Sequence, residues 1–315
     1  MMPYRDLSEA YLRANSLPSH ENGSGKEARG RVLVISGNTR VPGAAILAGV
    51  AALRAGAGVL QIATSASIAP HIGVAVPEAM VVGFSETPQG EINPSNAMDI
   101  AALAKDADAV VVGPGMMDED ALRPLVMLLL GAPAKAHIVL DAAAFTCMRD
   151  PSLNTHRSMH AAIVTPHAGE MARFLGLDRG AVEREPLDAA RRVASYTGST
   201  VVMKGAETFI VGEEVWRSRF GSVALATSGS GDVLAGVLGG ILARGTAPAL
   251  AALWAVFLHG EAGKRLSTKY GSVGALAREL PAEIPPLMSS LSPPRGGHLL
   301  DPESTRQDGQ ATLRP

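Results

Sequence analysis

Residues 31–63 read RVLVISGNTRVPGAAILAGVAALRAGAGVLQIA, and this stretch decides the fold class. The apolar run Val32–Ile35 is bounded by glycine and predicts a buried strand. Residues 43–56 are rich in Ala and Leu and end at a glycine, which predicts a helix with a glycine C-cap. Residues 59–63 then predict a second buried strand. Strand, helix and strand in succession indicate an α/β protein.

The same alternation continues along the chain. Further strands are predicted at 109–113, 137–141, 162–165 and 200–204, helices at 119–130, from about 169, and at 186–197, and a hairpin from 209–211 and 215–217. Alternating strands and helices imply a central, mainly parallel sheet flanked by helices on both faces. In such sheets, ligands bind beyond the carboxyl ends of the strands.

The composition allows a large core and suggests three segments. The chain has 315 residues, of which 47% are hydrophobic and only 4% aromatic, so one large α/β domain or two small ones are both possible. Residues 1–30 are polar and are predicted to form an N-terminal extension with a short helix near 4–14. We expect the α/β domain to cover 31–288. Residues 289–315 are predicted to be a flexible tail, because Pro, Ser and Gly accumulate after Leu280.

Charge, cysteine content and hydropathy exclude several classes of function. The formal charge is −2 without long runs of either sign, which argues against nucleic acid as a partner. The single cysteine, Cys147, excludes an internal disulfide and is predicted to be a packed small residue rather than a nucleophile. No signal peptide is evident at the start. The apolar run 247–258 is shorter than the ~20 residues that cross a membrane, so we expect a cytoplasmic protein.

The most informative motif is Thr227–Gly236, with the sequence TSGSGDVLAG. Its small residues allow a tight turn, and the apolar residues that follow at helical spacing predict a buried helix. The start of that helix offers unpaired amides and a positive partial charge, which suit an anion. We expect Asp232 to be held ionised there and to accept a proton from a hydroxyl group. Ordinary helix capping explains this segment equally well.

Three other segments place polar or small residues at predicted strand ends. They are Gly113–Gly115, Thr165–Glu170 (TPHAGE) and Lys204–Thr208 (KGAET). The first permits close approach of a ligand, the second places an imidazole and a carboxylate at a helix start, and the third places a cation beside a tight turn. Each is weak evidence alone, since such turns are common. Together with the Thr227–Gly236 loop they indicate one site for a phosphorylated ligand.

In this order, and together with residues 42–58, these segments resemble the nucleotide-dependent NAD(P)H-hydrate dehydratases of the ribokinase-like superfamily. The resemblance covers about residues 31–280, and Pro77–Met80 also matches the family. It implies a ribokinase-like fold and a repair reaction in which hydrated NADH or NADPH is dehydrated at the expense of ADP or ATP. It also implies Mg²⁺ on the nucleotide phosphates and a homo-oligomer, commonly a tetramer.

The resemblance implies a role for each matching residue. Asp232 would accept the proton of the hydrate, while the amides of Gly229, Ser230 and Gly231 would stabilise the phosphoryl group in flight. Contacts with the hydrate would come from Ala44, Gly115, His167 and Asp232. Contacts with the nucleotide would come from Lys204, Gly205, Ala206, Glu207, Thr208 and Gly231.

Two positions depart from the family pattern, and two other functions remain open. Ser228 stands where the family usually has glycine, and Ala143 stands where a second acid follows Asp141. The shared loop also fits a kinase of the same superfamily acting on a vitamin-precursor alcohol, and a nucleotide-binding protein without catalysis is the third reading. The segment containing His167 favours the dehydratase. With about 30 residues before the first strand, we expect no epimerase domain.

Overall fold

A computed structural model describes residues 4–19, 25–131, 135–150 and 162–291. Within these ranges the strands form one ten-stranded sheet in the order β1-β10-β9-β8-β7-β6-β5-β2-β3-β4. Every neighbouring pair is parallel except β9 with β8 and with β10. The α/β class and the mainly parallel sheet are therefore confirmed.

The strands are short, and all except β1, which lies within the predicted helix 4–14, and β4, which was not predicted, lie close to the predicted positions. They are β1 Arg5–Asp6, β2 Arg31–Ile35, β3 Val59–Ser65, β4 Ala79–Phe84, β5 Ala109–Val112, β6 His137–Leu140, β7 Ala162–Val164, β8 Thr200–Met203, β9 Thr208–Val211 and β10 Val215–Ser218. The hairpin predicted at 209–217 is the antiparallel pair β9 and β10. Because β10 runs antiparallel to β9, and β9 to β8, the carboxyl end of β10 lies at the same sheet edge as that of β8.

The helices cover both faces of the sheet. They are α1 Glu9–Ala14, α2 Gly43–Arg54, α3 Ala69–Ala75, α4 Ala97–Ala104, α5 Glu119–Gly131, α6 Ala142–Thr146, α7 Ala168–Leu175, α8 Arg179–Arg184, α9 Pro186–Thr197, α10 Ser230–Ala243, α11 Pro248–Tyr270 and α12 Leu280–Leu291. Helices α3, α4, α6, α8, α11 and α12 were not predicted from the sequence. Helix α11 spans 23 residues, and among the described residues no helix is both long and apolar enough to cross a bilayer.

Alternate side chains of the central strands divide the interior into two cores. Val32 and Val34 of β2 point to the face covered by α2, α10, α11 and α12. Leu33 and Ile35 point to the opposite face, where α4, α5, α7 and α9 pack. Period-two alternation in a strand that is buried on both sides produces this arrangement. The strand ends are thereby held at fixed positions along one edge of the sheet.

Helices α2 and α10 pack with their backbones unusually close. A side chain at Gly236 would overlap the carbonyl oxygen of Ala48, and one at Gly240 would overlap that of Ala52. Because glycine has no Cβ, it permits this approach at both positions. The packing fixes the start of α10 beside the start of α2.

The N-terminal extension is docked on the domain. Strand β1 pairs with β10, Leu12 of α1 is fully buried, and the Trp254 indole donates a hydrogen bond to the carbonyl of Asn15. At the other end, α12 continues to Leu291, three residues into the predicted tail. Residues 292–315 lie outside the described part, so the three-segment division stays a prediction.

Cys147 is buried, as predicted for a packed small residue. Burial raises the pKa of its thiol to about 12, with Glu119 adding to the increase. The thiolate form is therefore disfavoured at neutral pH, and a nucleophilic role is not supported.

Candidate active site

The start of α10 lies at the sheet edge where the parallel strands end. Gly229 precedes the helix with φ of 87°, a left-handed conformation that glycine adopts at little cost. A side chain at this position would also contact Leu47 of α2. The turn at Gly229 therefore places Asp232 in the first turn of the helix, and the Ser230 amide donates a hydrogen bond to the Thr227 carbonyl at 3.3 Å.

Lys204 is the centre of a buried polar network at the end of β8. Its Nζ lies 3.0 Å from Asp141 Oδ1 and 3.9 Å from Glu170 Oε2. The Thr165 hydroxyl donates a hydrogen bond of 2.6 Å to the same Asp141 oxygen. Burial opposes the charge of Lys204, but Asp141 and Glu170 outweigh it and raise the pKa of the ammonium group. Lys204 is therefore a fixed positive charge at this site.

Gly231 brings the helix start next to this positive charge. A side chain at Gly231 would lie 3.3 Å from Lys204 Nζ. The first turn of α10 thus faces the Lys204 ammonium across a narrow space. Backbone amides and an ammonium group that converge on one space form a site for an anion.

The ionisation of Asp232 differs from the sequence-based expectation. Burial raises the pKa of its carboxyl group to about 7, Asp141 adds to the increase, and Lys204 opposes it. The sequence predicted an ionised carboxylate at the helix start, whereas burial favours the protonated form. A carboxyl group with a pKa near neutral pH is suited to accept and release a proton.

His167 is the N-cap of α7. Its Nδ1 accepts hydrogen bonds from the amides of Gly169 and Glu170, at 2.9 and 3.3 Å. Because Nδ1 is an acceptor, the proton of the neutral ring is on Nε2, which lies 3.3 Å from Glu170 Oε1. The imidazole is held by its own helix, and more than half of its side chain, 56%, is exposed. One face of the ring is thus available to a ligand.

The Gly113–Gly115 turn lies between Asp141 and α2. A side chain at Gly113 would overlap the Asp141 carbonyl, and one at Gly115 would contact the Ala44 methyl group. Ala44 itself is 2% exposed. The structure therefore brings Gly115 and Ala44 together beside the start of α2. Because Gly115 has no side chain, its backbone remains accessible there.

The segment Lys204–Thr208 is a tight turn between β8 and β9. The Lys204 amide donates to the Pro166 carbonyl, which links this turn to the His167 segment. At the other end, Glu207 pairs with Arg219 at 2.9 Å and with Arg217 at 3.6 Å. Gly205 and Ala206 lie at the exposed tip. The turn is fixed at both ends and presents its backbone to solvent beside the anion site.

This set of residues can be compared with known proteins. The sequence profile of the family described as NAD(P)H-hydrate dehydratase matches residues 32–286, most of the chain. The chain belongs to the NAD(P)H-hydrate dehydratase family. An ADP-dependent (S)-NAD(P)H-hydrate dehydratase from Xanthomonas campestris is 47% identical over 295 residues, which cover 93% of this chain and 98% of that protein.

Solved structures support the dehydratase family and its fold. The Bacillus subtilis ADP/ATP-dependent NAD(P)H-hydrate dehydratase, co-crystallised with ATP and Mg²⁺, superposes with a TM-score of 0.80 at 29% identity, covering 93% of this chain and all of that one. A ribokinase-like superfamily protein from Enterococcus faecalis has a TM-score of 0.78 at 27% identity, with 92% and 97% covered. The predicted ribokinase-like fold is confirmed.

The two departures from the dehydratase pattern have local explanations. Among the described residues, Ala142 is the one non-glycine with positive φ, and Ser228 is therefore not in the left-handed region. The loop requires left-handed backbone at Gly229 but not at Ser228, so serine is sterically acceptable there. Ala143, which replaces the expected acid, is buried in the core beneath the sheet edge.

Three partners of the dehydratase site were given no role from the sequence. Thr165 begins one of the predicted site segments and Asp141 precedes a departure from the family pattern, but neither received a role, although both follow strands at the same edge as Lys204. That position was the signal that could have identified them. His259, in α11, has its Nε2 3.0 Å from both Ser230 Oγ and the Ser230 carbonyl oxygen. A single histidine in an apolar helix gave no comparable signal.

Proposed function

We propose that this chain dehydrates hydrated NADH and NADPH, called NADHX and NADPHX, back to NADH and NADPH by transient phosphorylation with ADP or ATP. Asp232 carries the proposal, since its carboxyl group lies at the start of α10, beside Lys204, with a pKa of about 7. Family membership and the position of this residue support the same reaction.

The proposed first step transfers a phosphoryl group to the hydrate. Asp232 accepts the proton of the ring hydroxyl as its oxygen forms a bond to the terminal phosphorus of the nucleotide. The bond from that phosphorus to the bridging oxygen breaks, releasing AMP from ADP or ADP from ATP. The amides of Gly229, Ser230 and Gly231 stabilise the charge that develops on the phosphoryl oxygens.

The proposed second step is an elimination. The lone pair of the ring nitrogen assists cleavage of the carbon–oxygen bond, and orthophosphate leaves with its electron pair. A proton then leaves the neighbouring ring carbon, which restores the reduced nicotinamide. Converting the hydroxyl into a phosphate ester supplies a good leaving group, and this is the purpose of the nucleotide.

Lys204 supplies positive charge for the transferring group. Its ammonium is balanced by Asp141 and Glu170, so it stays charged in a partly buried position. Phosphate oxygens entering beside Gly231 would gain an attraction that water screens only weakly. We propose that the turn Gly205–Thr208 contacts the remainder of the nucleotide.

Mg²⁺ would enter with the nucleotide phosphates. Glu170 and Asp232 provide carboxylate oxygens at the edge of the site. Such oxygens could coordinate the ion or accept hydrogen bonds from its waters. Bound there, Mg²⁺ would neutralise charge on the phosphates. In the described ranges no group of three or more His, Cys, Asp or Glu side chains forms a metal cage.

The hydrate would lie between α2 and α7. We propose that Gly115 and Ala44 contact it on one side and the exposed face of His167 on the other. The glycine leaves room for a planar ring, while the protonated Nε2 of the His167 imidazole can donate a hydrogen bond at its edge. These contacts would direct the ring hydroxyl towards Asp232.

We also propose that the protein acts in the cytoplasm as a homo-oligomer, with a tetramer favoured by the family resemblance. The near-neutral net charge and the exposed apolar side chains Val74, Met80 and Met98 are compatible with association of copies. Light scattering of the purified chain would measure the mass, and a monomer at micromolar concentration would contradict this assembly.

The decisive assay follows NADHX with ADP and with ATP in turn. The proposal expects orthophosphate release that depends on NADHX, together with recovery of the absorbance of reduced nicotinamide. Omitting the nucleotide or NADHX serves as the control. A stable phosphorylated product without orthophosphate would indicate a kinase instead, and nucleotide binding without turnover would indicate a non-catalytic protein.

A further inference from the structure

His259 lies in α11, which packs against α10 next to the anion site. It is buried in α11, and its Nε2 lies 3.0 Å from the carbonyl oxygen of Ser230 and 3.0 Å from Ser230 Oγ. A carbonyl oxygen can only accept a hydrogen bond. The contact therefore requires a proton on Nε2, which fixes the tautomer of the neutral ring.

The neutral form of the ring is strongly favoured. Burial lowers the pKa of His259 to about 4, the hydrogen bond to Ser230 opposes this, and the charge of Lys204 adds to it. At neutral pH, His259 thus donates one hydrogen bond to the helix start without placing a charge there.

This hydrogen bond acts on the peptide between Ser230 and Gly231. In a trans peptide the carbonyl and the N–H point in opposite directions. When His259 holds the Ser230 carbonyl, the Gly231 amide points the opposite way, out of the start of α10. Lys204 lies beside that start, since its Nζ would lie 3.3 Å from a side chain at Gly231.

We propose that His259 is a positioning residue that fixes the Ser230–Gly231 peptide, so that the Gly231 amide points at the phosphoryl group during transfer. His259 does not touch the nucleotide or the hydrate. It acts through Ser230, and its effect should be greatest when charge on the phosphoryl group is greatest. The proposal rests on the proposed phosphoryl transfer.

A buried histidine could also serve only to pack α11 against α10. Packing alone would affect stability and all forms of ligand binding together. Positioning predicts a selective effect, because a preorganised donor contributes most to the transition state and least to the bound ground state. The test therefore compares a phosphoryl transition-state mimic with a simple nucleotide.

The experiment uses the full chain and the variants His259→Phe, His259→Gln and His259→Asn. Phenylalanine keeps the ring volume without a donor. The glutamine amide nitrogen can reach the position of Nε2, whereas the asparagine amide is too short. His137→Phe is the matched control, because His137 begins β6 at the opposite edge of the sheet.

For each variant, the affinities for ADP–Mg²⁺ alone and for ADP–Mg²⁺ with aluminium fluoride, which mimics transfer from ATP, are measured by calorimetry, with kcat and KM for NADHX in the presence of ATP. Phe and Asn at 259 should weaken the aluminium fluoride complex about tenfold and lower kcat similarly, with ADP affinity and KM within about twofold. Gln at 259 should recover most of the loss, and His137→Phe should match the wild type.

Equal affinity of wild type and variants for the aluminium fluoride complex, including no binding by either, would overturn the inference. So would a parallel loss of ADP affinity, or a Gln variant as impaired as the Asn variant. If the Phe variant does not fold, the Gln and Asn pair decides. Loss of NADHX turnover in the wild type, with the fluoride series as expected, would instead contradict the proposed function alone.

Discussion

The first turn of α10 and the body of the same helix use glycine for opposite purposes. At the start, Gly229 makes the left-handed turn and Gly231 leaves open the space beside Lys204. One and two turns further on, Gly236 and Gly240 press the helix against the carbonyl oxygens of α2. All but Gly240 belong to one short motif, yet only the first pair is available to a ligand.

This contrast shows that a motif glycine need not lie at the site. The body of α10 packs against α2 and thereby fixes the position of the first turn, which contains the proposed base Asp232. Substitutions in the body of α10 should therefore change mainly the stability of the protein, and substitutions in its first turn should change mainly ligand binding and turnover.

The largest expected effect is that of Asp232→Asn. The variant loses the proton acceptor and should lower turnover at least ~10²-fold while leaving nucleotide binding largely intact. Asp188→Asn, in the first turn of α9, is the control and should be fully active. Near-normal turnover in the Asp232 variant would exclude this residue as the base.

The same variant should be more stable at neutral to alkaline pH. The folded-state pKa of Asp232 is about 7, above the usual 3.8, so the wild type loses stability as the pH rises from about 4 to 7. Asparagine does not ionise and avoids that loss. Thermal unfolding at about pH 8 should show a higher midpoint for the variant than for the wild type.

Gly236→Ala should act mainly on stability. Its methyl group would collide with the Ala48 carbonyl, which is backbone and cannot rotate away, so we expect a loss of about 1–3 kcal/mol in denaturant unfolding. Gly73→Ala in α3 is the control, because its methyl group would meet only Val81, at 3.9 Å. It should be neutral or stabilising. Similar destabilisation by both variants would contradict the close-contact explanation.

Gly231→Ala should act on the ligand instead. The added methyl group would lie 3.3 Å from Lys204 Nζ and would fill space assigned to phosphate. We expect affinity for ADP to fall about tenfold, on the order of 1.4 kcal/mol, with little change in the unfolding midpoint. Calorimetric titration measures the first and thermal unfolding the second. Unchanged affinity would remove Gly231 from the nucleotide site.

Asp141→Asn should shift the pH dependence of turnover. In the wild type, kcat/KM should rise with pH up to about 7, because Asp232 must lose its proton to act as the base. Asp141 raises the pKa of Asp232, so its neutral replacement should move the acid limb to lower pH. A profile of kcat/KM measures this shift, and a limb that stays in place or moves upward would contradict it.

Ser228→Gly should have the smallest effect. Ser228 is exposed and lies outside the left-handed region, so restoring the glycine typical of the family relieves no strain. We expect activity within about threefold and a stability loss of at most about 1 kcal/mol from the more flexible unfolded chain. A large gain in activity would show that Ser228 restricts the nucleotide loop.

Much of the fold follows from local pattern. The strands β2, β3 and β8 and helix α9 are predicted within about two residues of their observed ends, because each has a continuous apolar run or a clear periodicity. Strand β4 and helices α3 and α4 were not identified. Two of the six residues of β4 are exposed and the other four are partly exposed at the edge of the sheet, and its sequence shows no clear alternation.

The sequence by itself determined the parallel α/β architecture, the turn before Asp232 and the segments that surround it, since these depend on short-range pattern and on glycine geometry. The tertiary structure decided how those segments are charged. Burial beside Asp141, distant along the chain, raises the pKa of Asp232, and His259, buried in α11, donates to the peptide that presents the Gly231 amide. Desolvation and long-range hydrogen bonds depend on which distant residues the folded chain brings together, so they cannot be predicted from local sequence patterns.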